Sequence, residues 1–105
     1  MKRARLRPQA EADLIEAARY YVTQGGRALG ERMLDAALAA LEPVERMPGI
    51  GSPRIGELCE IPGLRGWGIT GFPMRWFYFE MKDHLDVVRF LGDAQDVISI
   101  FSDER

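Results

Sequence analysis

Phe72 to Asp96, FPMRWFYFEMKDHLDVVRFLGDAQD, is the stretch whose reading decides how this chain folds. It holds two strongly apolar segments, Met74–Met81 and Leu85–Leu91, joined by the short polar Lys82-Asp83-His84. They read as the two strands of a hairpin. Each carries one arginine inside its apolar run, Arg75 and Arg89. A buried guanidinium is costly unless something pairs with it. Either these arginines point into a functional groove, or a carboxylate such as Asp96 or Glu80 pairs with them.

Working outward, 64–70 is a third candidate strand, turned by Gly71-Phe72-Pro73 into the hairpin. Residues 2–7 alternate, with Ala4 and Leu6 on one side and Arg3, Arg5 and Arg7 on the other, the pattern of a half-exposed strand. Pro8 suits the first turn of a helix. Ala10, Leu14, Ala17 and Tyr21 then recur at helical spacing, with Glu11, Asp13 and Glu16 near the positive end of the dipole. Gly25-Gly26 ends that helix. A second is expected from about Ala28 to Met47, its face set by Leu29, Met33, Ala36 or Ala37, Ala40, Val44 and Met47. The short connection makes the two an antiparallel hairpin. The Gly- and Pro-rich 48–63 segment has no period and reads as a long loop, either a surface wrap or a functional one. Asp93 reads as the N-cap of a short last helix carrying Ala94, Ile98 and Phe101. The expected architecture is α+β in the order β-α-α-β-β-β-α. One domain, 1–105, would pack a helical hairpin on one face of a mostly antiparallel sheet.

Such a two-layer domain has helices for one sheet face only, yet the hairpin strands are apolar on both. Met74, Trp76 and Tyr78 share one face of the first; Arg75, Phe77, Phe79 and Met81 share the other. In the second, Val88 and Phe90 oppose Leu85, Val87, Arg89 and Leu91. Exposed apolar surface of that kind marks partner binding. Phe77, Phe79, Val87 and Leu91, with Arg75 and Arg89, are therefore the candidate partner-binding groove. A connection of odd length, such as Lys82 to His84, places the two arginines on one face.

Composition narrows the function. The formal net charge of −2 gives no global attraction to nucleic acid. Of the 14 basic residues only Lys2 and Lys82 are lysine, so bidentate pairing is favoured over tuned acid/base chemistry. A single Cys59 excludes an internal disulfide and, with no signal peptide and no membrane-length apolar run, fits a soluble protein of the cytoplasm. One Cys and one His cannot build a structural zinc site. Gly49-x-Gly51 lacks the strand–turn–helix setting of a phosphate loop, and Ser52, Ser99 and Ser102 have no triad partners. His84 reads as a turn residue. No cofactor, metal or catalytic residue is expected.

The ordered series of segments resembles the RelE/ParE superfamily of type II toxin–antitoxin systems, in its ParE-like branch. It comprises the alanine-rich helix with Ala12-Asp13-Leu14 and Tyr20-Tyr21, Pro48-Gly-x-Gly51, and Pro62-Gly63-Leu64-Arg65. Gly71-Phe72-Pro73-Met74-Arg75 with its aromatic strand follows, then Arg89-Phe90-Leu91 and Ala94-x-Asp96. The resemblance implies a toxin silenced in a hetero-oligomer by a cognate antitoxin, whose C-terminal segment fills the apolar groove. It implies inhibition of DNA gyrase by protein contact, or, for the RelE-like alternative, cleavage of mRNA on the ribosome. Here Gly92-Asp93 follow the strand where ParE-like chains commonly carry a histidine and a glycine. An RNA-cleaving site needs a base, an acid and cations for the phosphate. Arg75 and Arg89 match the arginines of RelE-like sites, and Glu57 or Glu60 could serve as base. No Tyr, His or Lys lies between Gly92 and Arg105, however. The binding-module reading leads, without direct nucleic-acid or membrane contact.

Overall fold

Strands β3 (Met74–Glu80) and β4 (His84–Gly92) form the expected hairpin, closed where the Met81 N–H donates to the His84 carbonyl at 2.9 Å. The computed structural model describes residues 1–103. β2 (Arg65–Gly68) lies antiparallel to β3, and β1 (Arg3–Leu6) parallel to β4, giving the order β1-β4-β3-β2. Both outer edges are partly occupied. The Lys2 and Ala4 N–H groups donate to the Glu45 carbonyl (3.0 Å) and carboxylate (2.7 Å), and Gly66 exchanges two 2.8 Å bonds with Ser52. Occupied edges do not template further strand pairing.

The helical hairpin forms as expected from Pro8. Helix α1 (Pro8–Gly25) ends at Gly26, whose φ of 91° is open to glycine, and α2 (Arg27–Ala39) returns. The two helices approach so closely that a Cβ on Gly30 would lie 2.4 Å from Val22 Cγ2. The single helix expected to Met47 instead breaks at Ala40, and α3 (Leu41–Arg46) follows. Pro43 accounts for the break: it has no N–H for the Ala39 carbonyl, and its ring would collide with that oxygen. The first core forms between this layer and the sheet, from Ala10, Ala17, Met33, Ala37 and Val44 against Trp76, Tyr78, Leu85, Val87 and Phe90. The alanines let main chain reach side chain: the buried Trp76 indole N–H donates to the Ala37 carbonyl at 2.8 Å.

The segment read as a loop is structured. It makes a 3₁₀ turn at Pro48–Ile50 and a five-residue helix, α4 (Arg54–Leu58), too short to leave a period in the sequence. The Tyr78 hydroxyl holds the turn, donating to the Pro48 carbonyl (2.6 Å) and accepting from the Gly51 N–H (3.0 Å). A Cβ on residue 51 would come within 2.5 Å of that hydroxyl oxygen, which explains the glycine. The last helix is α5 (Val97–Asp103), and its cap is Asp96, not Asp93: the Ser99 N–H donates to Asp96 Oδ1 at 3.1 Å. Segments α4 and α5 cover the second sheet face, where Phe77, Val88 and Leu91 pack with Cys59, Leu64 and Phe101. The expectation that this face stays open is thereby corrected for much of its area.

Replacing Tyr78 by Phe is expected to cost about 1–3 kcal/mol in urea denaturation, since it strips partners from two main-chain groups. Burial also pushes the Tyr78 phenol above its ordinary 10.0, outweighing the Gly51 hydrogen bond that lowers it. The folded state thus prefers the neutral phenol. Its contribution is complete below about pH 10 and is lost as pH rises through the folded value. Wild type should lose more stability than Tyr78→Phe in strongly alkaline buffer.

Candidate functional site

The two arginines of the hairpin meet different fates, and the register explains part of this. Glu80 faces Leu85, the even spacing that alone would part Arg75 from Arg89. A bulge then intervenes: Tyr78 pairs with Val87 but Phe77 with Arg89, leaving Val88 as an extra residue in β4. Beyond it Arg75 pairs with Leu91, so the arginines recover the same parity that an odd connection was expected to provide. Val87, below the bulge, falls instead on the side of the helical hairpin.

Shared parity does not bring the guanidinium groups together. Arg89 reaches Asp13 of α1, with Nε to Oδ2 at 2.7 Å and Nη2 to Oδ1 at 3.2 Å. The side chains are only 14% and 7% exposed. Asp13 also accepts the Phe90 N–H at 3.0 Å and the Gln9 amide at 3.0 Å. Phe90 lies three residues past Val87, the last β4 residue with a β1 partner, so the carboxylate takes a ladder position that β1 is too short to fill. The partner of Arg89 is thus neither Asp96 nor Glu80. One signal for it exists in the sequence, because Asp13 stands three residues after Ala10 and four before Ala17, on the apolar stripe of α1.

Arg75 is exposed. Its Nε donates to Asp93 Oδ1 at 3.2 Å, both side chains being about half exposed (45% and 52%). It stands at an open cleft of about 610 Å³ between β3, α4 and α5. Phe77 contributes to the floor, Ile55, Val97 and Ile98 to the walls, and Arg54, Asp93 and Asp96 to the charged rim. Arg54 makes no ion pair among the described residues. Ile98 and, on α4, Leu58 are each about half exposed.

The apolar candidates do not form an open groove. Phe77 and Leu91 are 1% exposed and Val87 is fully buried. Phe77 stacks edge-on against Phe101 of α5 at 5.0 Å between ring centroids, whereas Val87 lies beneath the helical hairpin. Only Phe79 stays half-buried at the surface. Of the expected set, Arg75 and Phe77 meet at the cleft; Arg54 and Ile55 join them from the 48–63 segment, one of whose readings was functional, and Asp93 and Ile98 from the C-terminal end. Glu57 and Glu60, candidate bases, line a separate groove with Gly56 and Leu64 and not the Arg75 cleft. His84, expected in the turn, is instead the first residue of β4; its Nδ1 lies 2.7 Å from Asp83 Oδ1, and this contact is the main reason the Asp83 carboxyl lies below the usual range. Among the described residues no cluster of three His, Cys, Asp or Glu could hold a metal, and no helix is long and apolar enough to cross a membrane.

Residues 4–102 match the family model described as ParE toxin of type II toxin–antitoxin system, parDE. No curated protein sequence matches the chain significantly. Among solved structures, the fold is similar to a chain of the chromosomal ParDE toxin–antitoxin system from P. aeruginosa. The TM-score is 0.76 at 19% identity, over 88% of this chain and 96% of that one.

Removing Asp13 should take the buried ion pair from Arg89 and leave the Phe90 N–H without its acceptor. Asp13→Ala is expected to cost about 3–5 kcal/mol, enough to unfold much of a domain this small at 37 °C. Arg75→Ala, removing an exposed pair, should cost no more than about 1 kcal/mol. Parallel urea titrations of the two variants check both values.

Proposed function

This chain belongs to the ParE toxins of type II toxin–antitoxin systems, and we propose that it is the toxin that inhibits DNA gyrase by protein–protein contact and is neutralised by a cognate antitoxin. The match of the family model to residues 4–102 carries this reading. The state of the arginines supports contact over chemistry. A nuclease of the RelE type would need both cations on one phosphate, with a base and an acid beside them. Arg89 is instead held by buried Asp13, Arg75 by exposed Asp93, and the candidate carboxylates Glu57 and Glu60 lie at another groove.

The antitoxin segment seats, in this reading, in the cleft at Arg75. An amphipathic peptide would place aliphatic side chains between Ile55 and Ile98, over Phe77. A carboxylate would replace Asp93 on Arg75 or meet Arg54. Arginine is favoured at such positions because its planar fork pairs bidentately with a carboxylate. The groove once expected from all six hairpin residues is thus reduced to one end of the hairpin and its flanking helices.

Two measurements test the reading. The purified toxin should block supercoiling by purified gyrase, and its induction should leave messages on translating ribosomes intact. Codon-positioned mRNA cleavage with supercoiling unaffected would establish the nuclease alternative. Arg75→Ala should weaken antitoxin binding about tenfold, the usual effect of losing an arginine anchor of about 1.4 kcal/mol. Its melting temperature should stay within some 4–8 °C of wild type. Unchanged antitoxin affinity would move the antitoxin away from this cleft.

A further inference from the structure

The second sheet face is covered only in part, and its uncovered corner has a distinct chemistry. Ala4 and Leu6 of β1 pack on the first core, so the alternation turns Arg3 and Arg5 to the other face, where both are exposed. The ladder gives their neighbours. Arg5 is the direct partner of Asp86, and Asp86 of Phe79, so these three side chains form one row across β1, β4 and β3. Arg3 stands opposite His84 in the adjoining row. The carboxylates nearby are already engaged. Arg7 takes both oxygens of Asp86, at 3.0 and 2.7 Å, and His84 takes Asp83 at 2.7 Å. Arg3 and Arg5 form no ion pair among the described residues. They lie two residues apart on one strand, about 6.6 Å along it, and the half-buried ring of Phe79 completes the row.

We propose that this corner, the exposed Arg3 and Arg5 of β1, is a docking surface for an acidic segment of extended polypeptide from a partner. Such a segment presents alternate side chains on one face at the same spacing as the arginines. Two of its carboxylates, two residues apart on one face, meet Arg3 and Arg5 as the segment runs along β1, and the residue between them faces away from the sheet. The segment runs over β1 on this face and does not extend the sheet, since Glu45 holds the outward N–H groups of Lys2 and Ala4. Charge favours a short acidic peptide over nucleic acid. Two arginines match two carboxylates of a short peptide, whereas a net charge of −2 repels a long polyanion. This surface is separate from the Arg75 cleft and does not depend on gyrase being the target.

The test uses the full chain and a fluorescent synthetic peptide alternating glutamate with valine, read by anisotropy. A mixed-sequence single-stranded oligodeoxynucleotide runs in parallel. Saturable peptide binding that weakens as salt rises is expected. The double charge reversal Arg3→Glu/Arg5→Glu should weaken it by about tenfold or more, each exposed pair being worth roughly a few-fold and reversal adding repulsion. Arg5→Lys should retain part of the affinity, because it keeps the charge and loses the bidentate fork. Unshifted thermal melting of the reversal variant separates lost docking from lost fold, both side chains being exposed. Absent peptide binding by wild type, equal binding by the reversal variant, or tighter binding of the oligonucleotide would each overturn the proposal.

Discussion

The buried carboxylate of Asp13 ties the helical layer to the sheet where β4 outruns β1. Strand β4 is nine residues long and β1 only four, so β4 runs on past its partner. The hydrogen-bonding groups left on that edge need satisfying, because an unpaired buried N–H is expensive. Asp13 takes the Phe90 N–H and the Arg89 guanidinium from the first turns of α1. Burying a carboxylate costs several kcal/mol, and the cost is offset only when its lone pairs are filled with good geometry. Here donors from Gln9, Arg89 and Phe90 fill them. That geometry sets where α1 lies on the sheet, and so where α2 and the alanine-lined first core must form.

The same constraint divides the two arginines. They share a parity along the hairpin, yet one is spent on structure and the other stands at a cleft. Asp13 draws the Arg89 guanidinium toward α1 and away from the face that carries Phe77 and Leu91. With Arg89 withdrawn, that face is apolar enough for α4 and α5 to cover with Cys59, Leu64 and Phe101. Among the surfaces left for recognition are the Arg75 cleft and an apolar cleft of about 450 Å³ where Tyr20 and Tyr21 of α1 face Pro73 and Met74. The occupied hydrogen-bonding positions at Glu45 and Ser52 direct partners toward side chains more than toward sheet edges.

The amino-acid sequence by itself determined the element types, their order and most of their limits. Period-2 and period-3.6 patterns are local properties, and turn residues such as Gly25-Gly26 and Gly71-Phe72-Pro73 act within a few positions. It also carried the family likeness, since the order of short segments survives where overall identity is low. What it did not reveal falls into two kinds. Pro43 was legible in principle, but the apolar stripe running on to Met47 hid the break. The five-residue α4 and the bulge at Val88 leave no periodic trace at all.

The tertiary structure decided the candidate site. Whether an apolar strand face is open depends on what other segments fold over it, and α5 covers Phe77 from more than twenty positions away in the chain. Whether an arginine is structural or available depends on its nearest carboxylate in space: Asp93 for Arg75, and Asp13, far along the chain, for Arg89. Residue type announced that each guanidinium needed a partner, because the desolvation cost is a property of the side chain. Which partner it found was a matter of packing, because charge pairing acts through distance in the fold and not through separation along the chain.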